Sequence, residues 1–285
     1  MGRSWNGVGV CIGAFAVLQL AACAEIPGSE GVTASASLAG APGAKAEARP
    51  ADNMLRLAGD VEARGSLATA LPLYERAAAA PDAPASVHAK LGDVYAKLGR
   101  NGEAATAYRA ALAKDPDNGA AMLGLGGVLV RSGQIEDGMA LLAKAAPVVN
   151  SARAYDRLGV AHILLGQPRE ALASFEQAHA LDPRDLDTAT NLALAAALSG
   201  HKDKAVALAQ ATARAEGVQD YHRRNLILAM AISDKEEDAK RAGSSGIGAD
   251  DMDALIKQGR DIRNISSPKA RALALGTVRS AAAIN

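Results

Sequence analysis

The chain has 285 residues, with 31 Lys and Arg balanced by 31 Asp and Glu, and it is 49% hydrophobic but only 3% aromatic. A neutral balance leaves no electrostatic footprint for nucleic acid or an acidic substrate. The alanine-rich, aromatic-poor composition suits helices packed through small side chains and suits a β-sandwich poorly.

The first element is an apolar run from Val8 to Leu20, interrupted by Gly13 and Gln19 and preceded by Arg3. It is shorter than the roughly 20 residues that span a bilayer, so it reads as a signal peptide and not a permanent anchor. It ends in Leu20-Ala21-Ala22-Cys23. An ordinary signal peptidase site near Ala22 to Ala24, or a buried free cysteine, is the plain alternative. The four residues resemble a bacterial lipobox, which implies that residues 1–22 are removed and that Cys23 becomes an acylated, palmitate-bearing first residue. Position 24 is Ala and not Asp, which by the same resemblance implies retention at the outer membrane, facing the periplasm. The mature chain would keep 30 basic against 31 acidic residues and no second cysteine, so it could hold no internal disulfide.

Residues 23–50 follow, rich in Ala, Gly, Ser and Pro. A segment with so few large apolar groups cannot offset the entropy of ordering and is expected to be a flexible tether, about 30 Å long on average.

From residue 51 a period appears. Gly65, Gly99, Gly133, Gly166 and Gly200 recur at intervals of 34, 34, 33 and 34. Seven residues before each stands a small residue (Ala58, Gly92, Gly126, Gly159, Ala193), and five after each stands another (Ala70, Ala104, Gly138, Ala171, Ala205). Nine after, the residue is large in four of the five: Tyr74, Tyr108, Leu142 and Phe175, with Ala209 the exception. The physical content is a helical hairpin: small residues where two helices cross closely, an aromatic beside the crossing, and glycine at the turn. Pro116 and Pro183 close two of the units.

These columns resemble the tetratricopeptide (TPR) repeat. The unit from Ala85 to Asn118 matches throughout, with Leu91, Gly92, Tyr95, Gly99, Ala104, Tyr108, Ala111 and Pro116, and the unit from Ala152 to Asp185 matches apart from His162. The resemblance implies an all-α, right-handed superhelical TPR solenoid of five to six hairpins over residues 51–243. The unit from Leu186 is degenerate at its end, with Ala209, Thr212 and Gly217, and a sixth unit is expected after it with "DYHRRNLILAMAI" and a short "EEDAKRA" as its helices. Residues 244–285 are expected to form a loop, a capping helix from Asp250 to about Arg263 over the exposed apolar end of the stack, and a solvated basic tail.

No catalytic constellation stands out. His88, His162, His179, His201 and His222 are scattered without metal-ligand spacing, and His162 reads as a satisfied core histidine. The glycines of "GLGGVL", Gly124 to Leu129, fall inside a repeat's first helix and read as packing residues, not a phosphate loop. No enzyme activity, cofactor, metal or small-molecule substrate is expected.

The TPR resemblance places the partner groove on first-helix positions. In the second unit these are Ser86, Ala89, Asp93, Ala96 and Lys97; in the third Leu123, Val130 and Arg131; in the fourth Asp156, Val160, Ile163 and Leu164; in the fifth Thr190, Leu194 and Leu198. From Leu123 onward the stripe is apolar, suited to an amphipathic helix or apolar peptide. On this reading Leu164→Asp with Leu194→Asp abolishes the grip and leaves the fold intact. The chain's own capping helix covering the stripe is the competing reading.

Lipobox, tether, repeats and the late segment Arg223 to Ala231 together resemble the TPR lipoproteins of the tight adherence (Tad) secretion system, which assembles Flp pili. That resemblance implies a pilotin-like outer-membrane adaptor whose partner is the secretin or another pilus-assembly component, with no nucleic acid involved. A general TPR lipoprotein adaptor in cell-wall or outer-membrane protein assembly would share every feature quoted.

Overall fold

The computed structural model describes residues 50–243 and 246–282, and every described element is helical. Cys23, the leader and the tether lie outside the described residues. In chain order the elements are α1 (Pro50–Ala63), α2 (Leu67–Ala78), α3 (Ala85–Lys97), α4 (Asn101–Lys114), α5 (Gly119–Arg131), α6 (Ile135–Val149) and α7 (Ala152–Leu164). They continue with α8 (Pro168–Leu181), α9 (Leu186–Leu198), α10 (Lys202–Ala213), α11 (Asp220–Ile232), α12 (Glu236–Gly243), α13 (Ala249–Asn264) and α14 (Pro268–Ala282). The first twelve form six hairpins.

The periodic glycines set the turns. All five sit in the left-handed region, with φ between 69° and 87°, where a side chain would be strained. At each, the amide after the glycine reaches back to a carbonyl of the first helix: Arg100 to Tyr95 at 2.9 Å, Gln134 to Leu129 at 2.9 Å, His201 to Ala196 at 2.9 Å. The sixth hairpin repeats the turn without glycine. Asp234 takes φ 68°, and Lys235 donates to Met230 at 3.0 Å. Aspartate tolerates this conformation, which hides the sixth turn from a search for glycine.

Second-helix aromatics fill the space that first-helix glycines leave. A Cβ on Gly92 would stand 2.6 Å from the Tyr108 ring, and one on Gly159 would stand 2.7 Å from Phe175. In the third hairpin Gly126 and Gly138 face each other instead, so close that a Cβ on Gly126 would lie 2.9 Å from the Gly138 carbonyl, with Leu142 alongside. Tyr74, Tyr108, Leu142 and Phe175 are all fully buried as a result.

Among successive first helices α3 touches α5, α5 touches α7 and α9 touches α11, whereas the second helices α4, α6 and α8 stand further apart and only α10 meets α12 closely among the described residues. A stack that is tighter on one side curves toward it, so the first helices line the inner surface. Helix α13 then packs on α11, Gly259 lying so close to Ala231 that a Cβ there would approach to 2.4 Å, with Met252, Ile256 and Ile262 buried beside it. The segment expected to be a solvated basic tail is instead α14. It turns back onto α7, α8 and α9, burying Ala272 and Leu275 in the core that holds Val160, Ile163 and Leu194. Its start meets the α7–α8 turn, where Lys269 crowds Gly166.

Candidate partner groove

The inner surface divides into a sealed half and an open half. On α7 and α9, Val160 and Ile163 are each 4% exposed, Leu194 3%, Thr190 2%, and Leu198 fully buried. Helix α14 lies across α7 and α9, and α11 with α13 closes the far side, so this apolar stripe is interior and not available surface. Leu164 remains half-buried at its margin. In the third unit Val130 does not face the groove. It packs within its own hairpin, 2.7 Å from where a Cβ on Gly138 would stand. Leu123 is half-buried. In the second unit Ala89 is buried, whereas Ser86, Asp93 and Lys97 are exposed.

The paired substitution of Leu164 and Leu194 therefore does not test binding alone. An aspartate at Leu194 would place an unpaired charge in the core.

What remains open at the centre is polar. Gly127, on α5, presents no side chain, and two guanidinium groups lie across it: Arg157 Nη1 stands 3.3 Å and Arg131 Nη1 3.6 Å from where its Cβ would be. Arg153 is the third member of the group. Burial first, then the neighbouring charges of Arg153 and Arg131, lower Arg157 to about 10. Burial and then Arg153 lower Arg131 as well. Arg157 Nη1 donates to the Leu123 carbonyl at 3.3 Å, while its Nε is buried without a partner. Asp93, whose charge acts on Arg157, accepts from the buried hydroxyl of Tyr108 at 2.6 Å. Burial, then the Asp93 charge and hydrogen bond, raise that phenol far above its ordinary value.

Beside it, on α7, α9 and α11, lies an acidic network. Asp156 accepts from Asn191 Nδ2 at 3.1 Å and Thr188 Oγ1 at 3.5 Å. Burial pushes its carboxyl up to about 6 against the lowering effect of the Asn191 bond, with Asp185 and Asp187 raising it further. Asp187 accepts from Tyr221 at 2.8 Å and lies 2.9 Å from His222 Nε2, while the Gln219 amide donates to His222 Nδ1 at 3.1 Å. The amide fixes Nδ1 as the acceptor, so Nε2 carries the proton toward Asp187. His162 is half-buried and its Nδ1 lies 2.7 Å from Gln167.

Of the residues named from the repeat register, the structure thus brings Arg131 to the inner surface, with Asp156 buried in the network beside it and Leu123 and Leu164 at its margins. Gly127, Arg153 and Arg157 are not among the residues named from the sequence. Arg153 occupies position 2 of its unit and Gly127 position 9 of its own, both within the register, so the signal was present. Arg157 stands at position 6, outside it. Among the described residues no cluster could hold a metal ion, and no helix is long and apolar enough to cross a membrane.

Comparison with known proteins places this architecture. The chain matches the family model of the middle TPR-like domain of cilia and flagella-associated protein 70 over residues 54–165 and that of the tetratricopeptide repeat over residues 152–185. Among curated proteins, cellulose synthase operon protein C of Xanthomonas axonopodis pv. citri (strain 306) is 42% identical over 88 residues, a stretch that is 30% of this chain and only 6% of that protein's length. Among solved structures, PilF of Pseudomonas aeruginosa superposes with a TM-score of 0.60 at 20% identity, covering 73% of this chain and 97% of PilF. PilW, a widely conserved type IV pilus biogenesis factor, gives 0.61 at 18% identity over 73% of this chain and 99% of PilW. YrrB, a TPR protein with an unusual peptide-binding site, gives 0.55 at 16% identity over 66% of this chain and 97% of YrrB. At such identities the likeness is one of fold. Residues 152–185 match the tetratricopeptide repeat, and the described residues form a TPR-type helical solenoid.

Proposed function

We propose that this protein is a non-catalytic TPR scaffold that grips an amphipathic helical segment of a partner protein on its inner surface, anchored to the outer membrane through Cys23, in the assembly of Flp pili by the Tad secretion system. The observation that carries the grip is α14. An amphipathic helix already lies on α7 and α9 with Ala272 and Leu275 buried, so these first helices accept a helix of that chemistry. The lipobox-like Leu20-Ala21-Ala22-Cys23 supports the anchor. The solenoid's likeness in fold to PilF and to PilW, the latter a pilus biogenesis factor, supports the pilus setting and names no partner.

Affinity purification of the membrane-extracted mature protein, followed by mass spectrometry, tests this. Secretin or other pilus-assembly components should co-purify, and Leu275→Asp, which loosens α14, should increase their recovery severalfold. Recovery of cell-wall synthases or outer-membrane assembly factors, with no pilus component, would remove the Tad assignment. Unchanged recovery in Leu275→Asp would remove α14 as the marker of the binding surface.

A further inference from the structure

We infer that Arg131, Arg153 and Arg157 form a receptor for acidic side chains on the partner's helix, an inference that rests on the inner surface being the binding face. Arg131 and Arg157 meet over Gly127, whose absent side chain leaves room for both guanidinium groups, and the charge of Arg153 acts on both. No ion pair involves any of the three among the described residues. Asp93, whose charge acts on Arg157, already accepts from Tyr108 at 2.6 Å, and the Arg157 Nε is buried with no acceptor. Arg153, the exposed member, points the group's charge outward to solvent.

A guanidinium taken from water needs an acceptor for its fork of N–H groups, and like charges gathered together need an opposite charge. The fold supplies one acceptor, the Leu123 carbonyl to Arg157 Nη1, and leaves the Arg157 Nε without one. Other arginines of the chain do have carboxylate partners: Arg260 with Glu236 at 2.7 Å, Arg263 with Asp234 at 2.7 Å, Arg100 with Glu103 at 2.7 Å. What sets this group apart is that its guanidinium groups are drawn together and partly buried on the inner surface with no carboxylate partner among the described residues. Planar guanidinium groups match carboxylates in bidentate geometry. A helix lying along the groove, as α14 lies on α7, presents its flank and not its end, so the carboxylates are those of Asp or Glu side chains. The apolar margins Leu123 and Leu164 fit the neighbouring aliphatic residues of such a helix.

The probe is a fluorescein-labelled sixteen-residue Ala/Leu amphipathic peptide, acetylated and amidated, with two Glu on its polar flank. Its partner is the same peptide with Gln in their place, and fluorescence anisotropy reads both against the full mature chain. The glutamate peptide should bind at least tenfold more tightly than the glutamine peptide, and R131Q/R157Q should reduce that preference to about onefold. Thermal melting of the double variant should be unchanged or raised, because removing two like charges relieves repulsion. Equal binding of both peptides, binding of neither, or a preference surviving in R131Q/R157Q would overturn the assignment. So would inorganic phosphate displacing the glutamate peptide at a lower concentration than glutarate does, which would make this a phosphate site. These outcomes are independent of the co-purification above, which can fail to recover pilus components while the peptide preference stands.

Discussion

Asp156 is the residue whose replacement should improve the fold, and the magnitude follows from its carboxyl. Burial raises it from 3.8 in the unfolded chain to about 6. Between those values the folded protein holds a proton that the unfolded chain has released, so stability falls as pH rises through this window and the cost is complete above pH 6. A difference of about 2 units at about 1.4 kcal/mol each gives roughly 3 kcal/mol at pH 7.5. Asparagine keeps an Oδ1 to accept from Asn191 and removes the charge. D156N should therefore be more stable by about 1–3 kcal/mol at pH 7.5, a gain of a few degrees in melting temperature for a domain of this size. At pH 3.5, where the native carboxyl is protonated, the two proteins should differ little. Urea unfolding at both values, followed by circular dichroism, reads this directly. A gain of equal size at both pH values, or none at pH 7.5, would refute the account of Asp156 as a buried carboxylate held at a cost.

Further substitutions test the packing and the charges. Gly92→Ala should destabilise by about 1–2 kcal/mol in urea titrations, since a Cβ 2.6 Å from the fully buried Tyr108 ring outweighs the helix propensity gained. Gly102→Ala is its control: nothing lies within 4 Å of its Cβ, so the same change should stabilise by up to about 1 kcal/mol. Against the burial that would raise it, hydrogen bonds from Lys97, Tyr74 and Lys90 hold Glu62 down to about 2. Its stabilisation is present above pH 4.5 and is lost as pH falls toward 2, so Glu62→Gln should lower the melting temperature at pH 7 and leave it unchanged near pH 2. Leu164→Asp should fold, while Leu194→Asp should lose helical signal or expose dye-binding surface.

The helical hairpins were legible because their cause is periodic. Glycine at the turn and a small residue opposite an aromatic recur every 33 or 34 residues, and each does the same mechanical work in every unit. The sixth turn was harder to see, since Asp234 adopts the left-handed conformation that glycine marks elsewhere. The inner surface was legible only in part. A register gives the direction of a side chain from its own helix and is silent on what a distant segment lays over it. Val160, Ile163 and Leu194 do share a face, as their spacing requires, yet α14 covers that face. Arg153 and Arg157 come together with Arg131 across a helix boundary, a juxtaposition that no single unit's pattern contains.

The position of α14 sets what a partner must do. Its docking buries Leu275 and Ala272, worth about 2–4 kcal/mol by the ordinary cost of exposing such side chains. A helix tethered by the short connection from α13 also competes at an effective concentration on the order of millimolar. A partner segment entering α7 and α9 must displace it, and its apparent affinity is lowered by the fraction of molecules in which that surface is closed. Removing the Leu275 contact by aspartate should therefore strengthen partner binding by roughly one to two orders of magnitude, while binding through the open arginine surface alone should be indifferent to it. The two substitutions separate the two halves of the groove. A partner whose affinity rises in Leu275→Asp and falls in R131Q/R157Q spans both, one that responds only to the arginines lies on the open half, and one that responds to neither binds outside the inner surface.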